Sequence, residues 1–315
     1  MSVFVAEELS EVLNTKVVIG RINMGLLNRI IIDDVLLDDQ SGQEMLKVTR
    51  LSAKFDIMPF FKGKISISSV QLFGFNINLR KETPDSPPNF KFVLDAFASK
   101  DTVKKENSLD LRINSILIRR GRMSYHVLSE EETPEKFNAK HIQLQNIIAN
   151  ISLKALSKDS LNLGIKRLSL DEKASGFSLK KMSLKLVANN KQTNIDNFTI
   201  ELPETSLKLD TIHLEYDSLK AFDRFTEQVH FSFRTLPSQV TLKDISPFVP
   251  ILSHFKEPVT LDMEVKGTVD QLTCSHLEIT ADDRQFRLRG DVSLQDLSRP
   301  QDAYVYGTLS ELSAN

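Results

Sequence analysis

Residues 142–149 read IQLQNIIA, with apolar side chains at Ile142, Leu144, Ile147 and Ala149 and the polar pair Gln145-Asn146 between them. On a helix these four positions point to about 0°, 200°, 140° and 340°, which is no face at all. On a strand the first two share a face, and the doubled polar residue turns the second two to the other face. One extra residue at the pair, a β-bulge, returns all four to a single face while bending and twisting the strand. A tight corner between two short strands at the same place has the same effect.

The grammar recurs along the chain. It stands at residues 30–37 (IIIDDVLL), 46–53 (LKVTRLSA), 65–72 (ISISSVQL), 111–118 (LRINSILI), 163–170 (LGIKRLSL), 177–184 (FSLKKMSL), 207–214 (LKLDTIHL) and 272–279 (LTCSHLEI). With residues 142–149 that is nine copies, where a shuffled chain of this composition gives roughly three. The outward positions are rich in Ser, Asn, Lys and Asp. The expected fold is therefore mainly β: a long, curved, bulged antiparallel sheet with one apolar and one wet face. If its strands close or stack, the apolar face is a sealed core; if not, it is a groove. The pattern fits both.

Four stretches follow helical spacing instead: residues 3–13 (VFVAEELSEVL), with Phe4, Leu9, Val12 and Leu13 as the apolar stripe, and residues 89–98, 218–228 and 244–255. In the last, Asp244 reads as an N-cap and Pro250 as a kink. Each is short enough to cap or cover a sheet. The chain reads as a single elongated module over residues 1–315, with a sub-boundary near residues 217–258.

The 315 residues are 41% hydrophobic and 26% charged, enough for a large core. A net charge of −2 supplies no broad electrostatic footprint for nucleic acid, and no nucleic-acid partner is expected. The single cysteine, Cys274, occupies an apolar repeat position and reads as a small buried hydrophobe. There is no apolar run of membrane-spanning length and no export signal, so an anchor or leader, if the natural protein has one, is missing here. The last residues stop in mid-pattern, and the chain reads as a fragment of a longer protein.

Chemistry has little foothold. G-x-S-x-G, H-E-x-x-H, a phosphate loop and G-x-G-x-x-G are all absent, and no catalysis is expected. His213-Leu214-Glu215 and His276-Leu277-Glu278 place a His and a Glu two apart on a strand, but with outward parity, and read as surface residues; no metal and no cofactor is expected. The acid pairs Asp33-Asp34, Asp38-Asp39 and Asp282-Asp283 read as solvated carboxylates at bends. The Pro-rich residues 83–89 and acidic residues 129–138 read as exposed loops.

Residues 60–80 (FFKGKISISSVQLFGFNINLR) resemble the signature stretch of the AsmA/TamB-like family: a glycine-basic turn, then I-x-I-x-x-V-x-L-x-G-x-x-I-x-L. Residues 113–125 (INSILIRRGRMSY) repeat it with Gly121 where Gly74 stood. Residues 265–272 (VKGTVDQL) and 29–39 (RIIIDDVLLDD) fit a turn and the first hairpin of the family. The chain is similar above all to the N-terminal periplasmic portion of TamB-like proteins of the Bacteroidetes. The resemblance implies a taco-like hydrophobic groove with a few short covering helices, moving phospholipid between inner and outer membrane. It also implies an inner-membrane anchor and an outer-membrane barrel partner of the TamA type, both through regions absent here. The alternative role is a scaffold for outer-membrane protein assembly by β-strand addition. On the groove reading, acyl chains meet Ile65, Ile67, Val70, Leu72, Leu111, Ile113, Ile116, Ile118, Ile142, Leu144, Leu163, Ile165, Leu168, Leu170, Leu179, Met182 and Leu184.

Overall fold

The structure is a computed structural model that describes residues 2–26, 28–55, 67–98, 114–156, 160–281, 286–299 and 301–314. It is mainly β, with one long mixed sheet of seventeen strands and a few short helices among the described residues. The chain divides into two compact units: Met1–Ser152 with Ser169–Phe177, and Leu153–Leu168 with Ser178–Asn315. The expected sub-boundary near residues 217–258 falls inside the second unit.

In the first unit, helix α1 (Ser2–Leu13) leads into β1 (Val17–Gly25), β2 (Arg29–Asp38), β3 (Glu44–Phe55) and β4 (Ile67–Lys81). Helix α2 (Lys91–Ala98), β5 (Ser115–Val127) and most of β6 (His141–Leu156) follow. β1 to β4 pair antiparallel in chain order, as do β5 and β6. β4 and β5, however, run parallel, from Ser69 beside Ser115 to Lys81 beside Val127. The expectation of an antiparallel sheet fails at this one described pair because the connection at residues 82–114 is long enough to carry the chain back to the end where β4 began, a route no tight hairpin offers.

α1 covers residues 3–13 as expected, and it ends where Asn14 takes a left-handed φ of 50°, the usual helix C-terminal device. Its apolar stripe does not cover the sheet. Only Ala6 is buried, while Val3 and Phe4 are 66% and 62% exposed. The core of this unit is Val48, Phe75 and Ile147, with Leu46, Leu51, Leu72, Ile118, Met123 and Leu144 packed against it.

The second unit holds β7 (Ser160–Glu172) up to Leu168, then β8 (Ser178–Asn189), β9 (Gln192–Glu201), β10 (Ser206–Lys208) and β11 (Ile212–Glu215). β12 (His230–Arg234), β13 (Ser238–Val240), β14 (Val259–Thr268), β15 (Gln271–Ala281), β16 (Phe286–Gln295) and β17 (Tyr304–Ala314) complete it. β8 pairs with β9, and β9 pairs with both β10 and β11. These two lead through β13 and β12 onto β14, and β14 to β17 pair in chain order, all antiparallel. Tyr216, Ala221 and Val229 form a small core here. The helical signal at residues 218–228 becomes a 3-10 turn, Leu219–Arg224, and one α-turn, Phe225–Gln228. That at 244–255 becomes two 3-10 turns, Leu242–Ile245 and Pro250–His254. The N-cap position is Thr241 and Pro250 opens a turn instead of kinking a helix. The Asp244 carboxylate is engaged elsewhere, accepting the Glu204 N–H at 2.9 Å.

Candidate functional site

Several strands carry residues whose left-handed backbone breaks side-chain alternation. Asp34 on β2, Asn146 on β6 and His276 on β15 have left-handed φ values of 57°, 55° and 56°, and each is the second member of a polar pair in the repeat. At His276 the register shifts against both neighbouring strands, which is the expected bulge. At Asn146 it shifts against β5. The pair Asp210-Thr211 instead lies in the gap between β10 and β11, the corner alternative.

Other copies behave differently. Lys166-Arg167 and Lys180-Lys181 lie inside β7 and β8 without a left-handed residue. Ser68-Ser69 and Asn114-Ser115 stand where β4 and β5 begin. The break in those two strands comes later, at Gly74 (φ 64°) and Arg120 (φ 55°), and β9 has another at Asn197 (φ 53°). Pairs ending in Gly or Asn, or preceding a Gly, were the available signal, because those residues tolerate the left-handed region or relieve crowding beside it.

In the first unit the breaks line up. Asp33 faces Arg50 and Val35 faces Val48, so Asp34 lies opposite Thr49; the next strand brings Gly74 opposite Thr49 in turn. Phe73 stands beside Arg119 and Asn76 beside Arg122, which continues the line to Arg120. A Cβ on Gly74 would sit 2.7 Å from Thr49 Oγ1, and one on Gly121 only 2.4 Å from the Phe75 ring. Glycine is required there for the crease to close on its core.

The result is visible in the core. Leu46 and Val48 precede the Thr49-Arg50 pair and Leu51 follows it, yet all three belong to one cluster; Leu144 and Ile147 flank Gln145-Asn146 in the same way. Of the thirteen expected groove positions whose side chains are described, only Leu179 is buried, and the others, Ile116, Leu168 and Ile165 among them, are half-buried. Ile65, Leu111 and Ile113 lie outside the described residues, as does the side chain of Ile67.

The acid pairs are not the solvated carboxylates expected. Asp33, Asp38 and Asp39 are buried, whereas Asp34 is exposed. Arg50 donates from Nε to Asp33 at 2.6 Å, and this hydrogen bond holds the Asp33 carboxyl below the ordinary aspartate range. Asp39 takes hydrogen bonds from Ser41, the Gln43 N–H and Asn89 and an ion pair from Arg80 at 2.6 Å. Such partners are what make a buried carboxylate tolerable. Asp282-Asp283 lies outside the described residues.

His213 and Glu215 do share a face, with Nε2 3.0 Å from the carboxylate, and Nδ1 of His213 is 2.6 Å from Asn194 Oδ1. Glu278 is taken by Arg289 at 3.1 Å and Arg287 at 3.5 Å. Cys274 is buried, and burial, helped by Asp291, pushes its thiol pKa up. One cluster had no signal in the sequence: Nδ1 of His126 lies 3.1 Å from Nδ1 of His141 and 3.8 Å from the Glu132 carboxylate.

No family model, curated protein or solved structure matches the chain. Its similarity to the AsmA/TamB-like family therefore rests on the residues quoted above. No helix among the described residues is long and apolar enough to cross a membrane.

Proposed function

We propose that this chain is a non-catalytic lipid-carrying segment of an AsmA/TamB-like, envelope-spanning protein, working in the periplasm and holding phospholipid acyl chains on the apolar face of its sheet. One observation carries the reading: in the first unit apolar residues from both sides of a crease gather in one cluster, yet of the expected groove positions whose side chains are described all but Leu179 stay half-buried. A sealed core would bury them, since each methylene removed from water gains about 0.8 kcal/mol. A two-chain lipid has the same problem on a larger scale, roughly 25 kcal/mol for about thirty methylenes. Apolar side chains left partly wet and acyl chains that cannot be wet complement each other.

Replacing Ile116 and Leu168 by Asp tests this, with Val48→Asp as the contrast. Val48 is 3% exposed at the centre of the core, so its replacement is expected to cost several kcal/mol and to unfold much of the protein. Ile116→Asp and Leu168→Asp are expected to keep a cooperative melt while binding of a fluorescent fatty-acyl probe falls. Folded variants that bind the probe as well as the parent would sink the groove reading.

A second reading, a scaffold for outer-membrane strands, has one observation in its favour. Among the described residues β17 bonds only to β16, and it exposes Tyr304, Val305, Tyr306, Leu309 and Leu312. It predicts binding of an apolar β-strand peptide that Ile116→Asp leaves unchanged.

A further inference from the structure

His126 and His141 face each other directly across the β5–β6 ladder, so their side chains leave the sheet on the same side. His141 is 7% exposed, and its Nε2 lies 2.9 Å from the Glu130 carbonyl oxygen, which can only accept. Nε2 therefore carries the proton, and Nδ1 of His141 presents a lone pair. That lone pair faces Nδ1 of His126 at 3.1 Å, and Oε1 of Glu132 stands 3.8 Å from the same His126 nitrogen. The three atoms all lie within 4.8 Å of one another. The rings are tilted at 52° with centroids 5.3 Å apart, so the contact is nitrogen to nitrogen and not a stack.

We propose that Nδ1 of His126, Nδ1 of His141 and the Glu132 carboxylate bind one divalent transition-metal ion, zinc by preference, with water as the fourth ligand. Zinc–nitrogen bonds of about 2.05 Å at tetrahedral angles set ligand atoms ~3.3 Å apart, close to the His–His separation. The Glu132 side chain is 65% exposed and free to swing in by the ångström or so that shared coordination needs. Two imidazoles and one carboxylate suit zinc better than calcium or magnesium, which prefer all-oxygen shells. A backbone carbonyl holding the far nitrogen of His141 is the usual outer support of a metal-bound imidazole. The neighbouring Glu130 carboxylate is occupied by Lys140 at 2.5 Å, which leaves Glu132 as the acid for the ion. Bound there, zinc ties the acidic connection at residues 128–140 onto the end of its own hairpin. The site is independent of the lipid reading. The competing explanation is a neutral hydrogen bond between the two imidazoles.

Calorimetric titration of zinc sulfate into the chelator-treated protein separates them. The expected result is one zinc per chain and a zinc-dependent rise in melting temperature. His126→Gln and Glu132→Gln, both at partly exposed side chains, are each expected to weaken binding about tenfold or more, while His213→Gln leaves it unchanged. Cobalt added in place of zinc should show visible absorption of tetrahedral character in the parent and not in His126→Gln. No stoichiometric zinc, zinc binding that survives both substitutions, or binding lost in His213→Gln overturns the proposal.

Discussion

Asp34 occupies a left-handed conformation in the middle of a strand, φ 57°, and its side chain is exposed. Backbone geometry and not packing therefore sets which residues fit. A left-handed φ costs an ordinary L-residue roughly 1–2 kcal/mol, less for Asp and Asn, nothing for Gly, and most for a β-branched residue. Asp34→Gly is accordingly expected to stay within about 0.5 kcal/mol of the parent and Asp34→Val to lose about 1–2 kcal/mol, read from urea midpoints. Equal midpoints for the two variants would contradict the crease. At this scale the repeat pattern located Asp34, Asn146 and His276 correctly. It missed Gly74, Arg120 and Asn197: Phe73-Gly74 is no polar pair, and the pairs Arg119-Arg120 and Asp196-Asn197 lack one of the repeat's flanking apolar residues, with Gly121 and Thr193 in those places.

At the level of elements, buried carboxylates tie the strand ends. Asp39 joins the β2–β3 turn to Arg80 at the end of β4 and to Asn89. Glu172 at the end of β7 accepts the Gln143 N–H of β6 at 2.9 Å and the Ser175 N–H at 2.7 Å. Burial pushes the Asp39 carboxyl up, but hydrogen bonds from Ser41, Asn89 and the Gln43 N–H outweigh it; in Glu172 burial is likewise outweighed by Ser175 and the N–H groups of Gln143 and Ala174. Both carboxyls, like that of Asp33, titrate below their ordinary values. A carboxyl depressed on folding stabilises fully above its unfolded pKa, about 4, and loses that contribution as pH falls through the folded value. The melting temperature is therefore expected to hold between neutral pH and about 5 and to fall below about 4. Asp39→Asn should melt lower at pH 7 with a shallower acid slope. A parent slope no steeper than the variant's would remove Asp39 from the account. The bend at Asp38-Asp39 was legible in the sequence; the burial of Asp39 was not, because Arg80 lies far along the chain.

For the whole molecule, bound lipid should act as a stabiliser, since anything that binds only the folded state adds RT ln(1 + [L]/Kd), about 2.7 kcal/mol at a hundredfold excess over Kd. Short-chain phospholipid below its micellar concentration is expected to raise the parent's melting temperature and to do so less for Leu168→Asp; equal shifts would count against the apolar face as the site. The sequence by itself determined the β class, the two longer helices and several breaks in the strands. All of these follow from side-chain alternation and φ preference, which neighbouring residues set between them. Only the tertiary structure decided that β4 and β5 run parallel, that Asp33 and Asp39 are buried on arginines, and that His126 meets His141 and Glu132. Each of those depends on which strand ends up beside which, and that is settled by groups far apart in the chain.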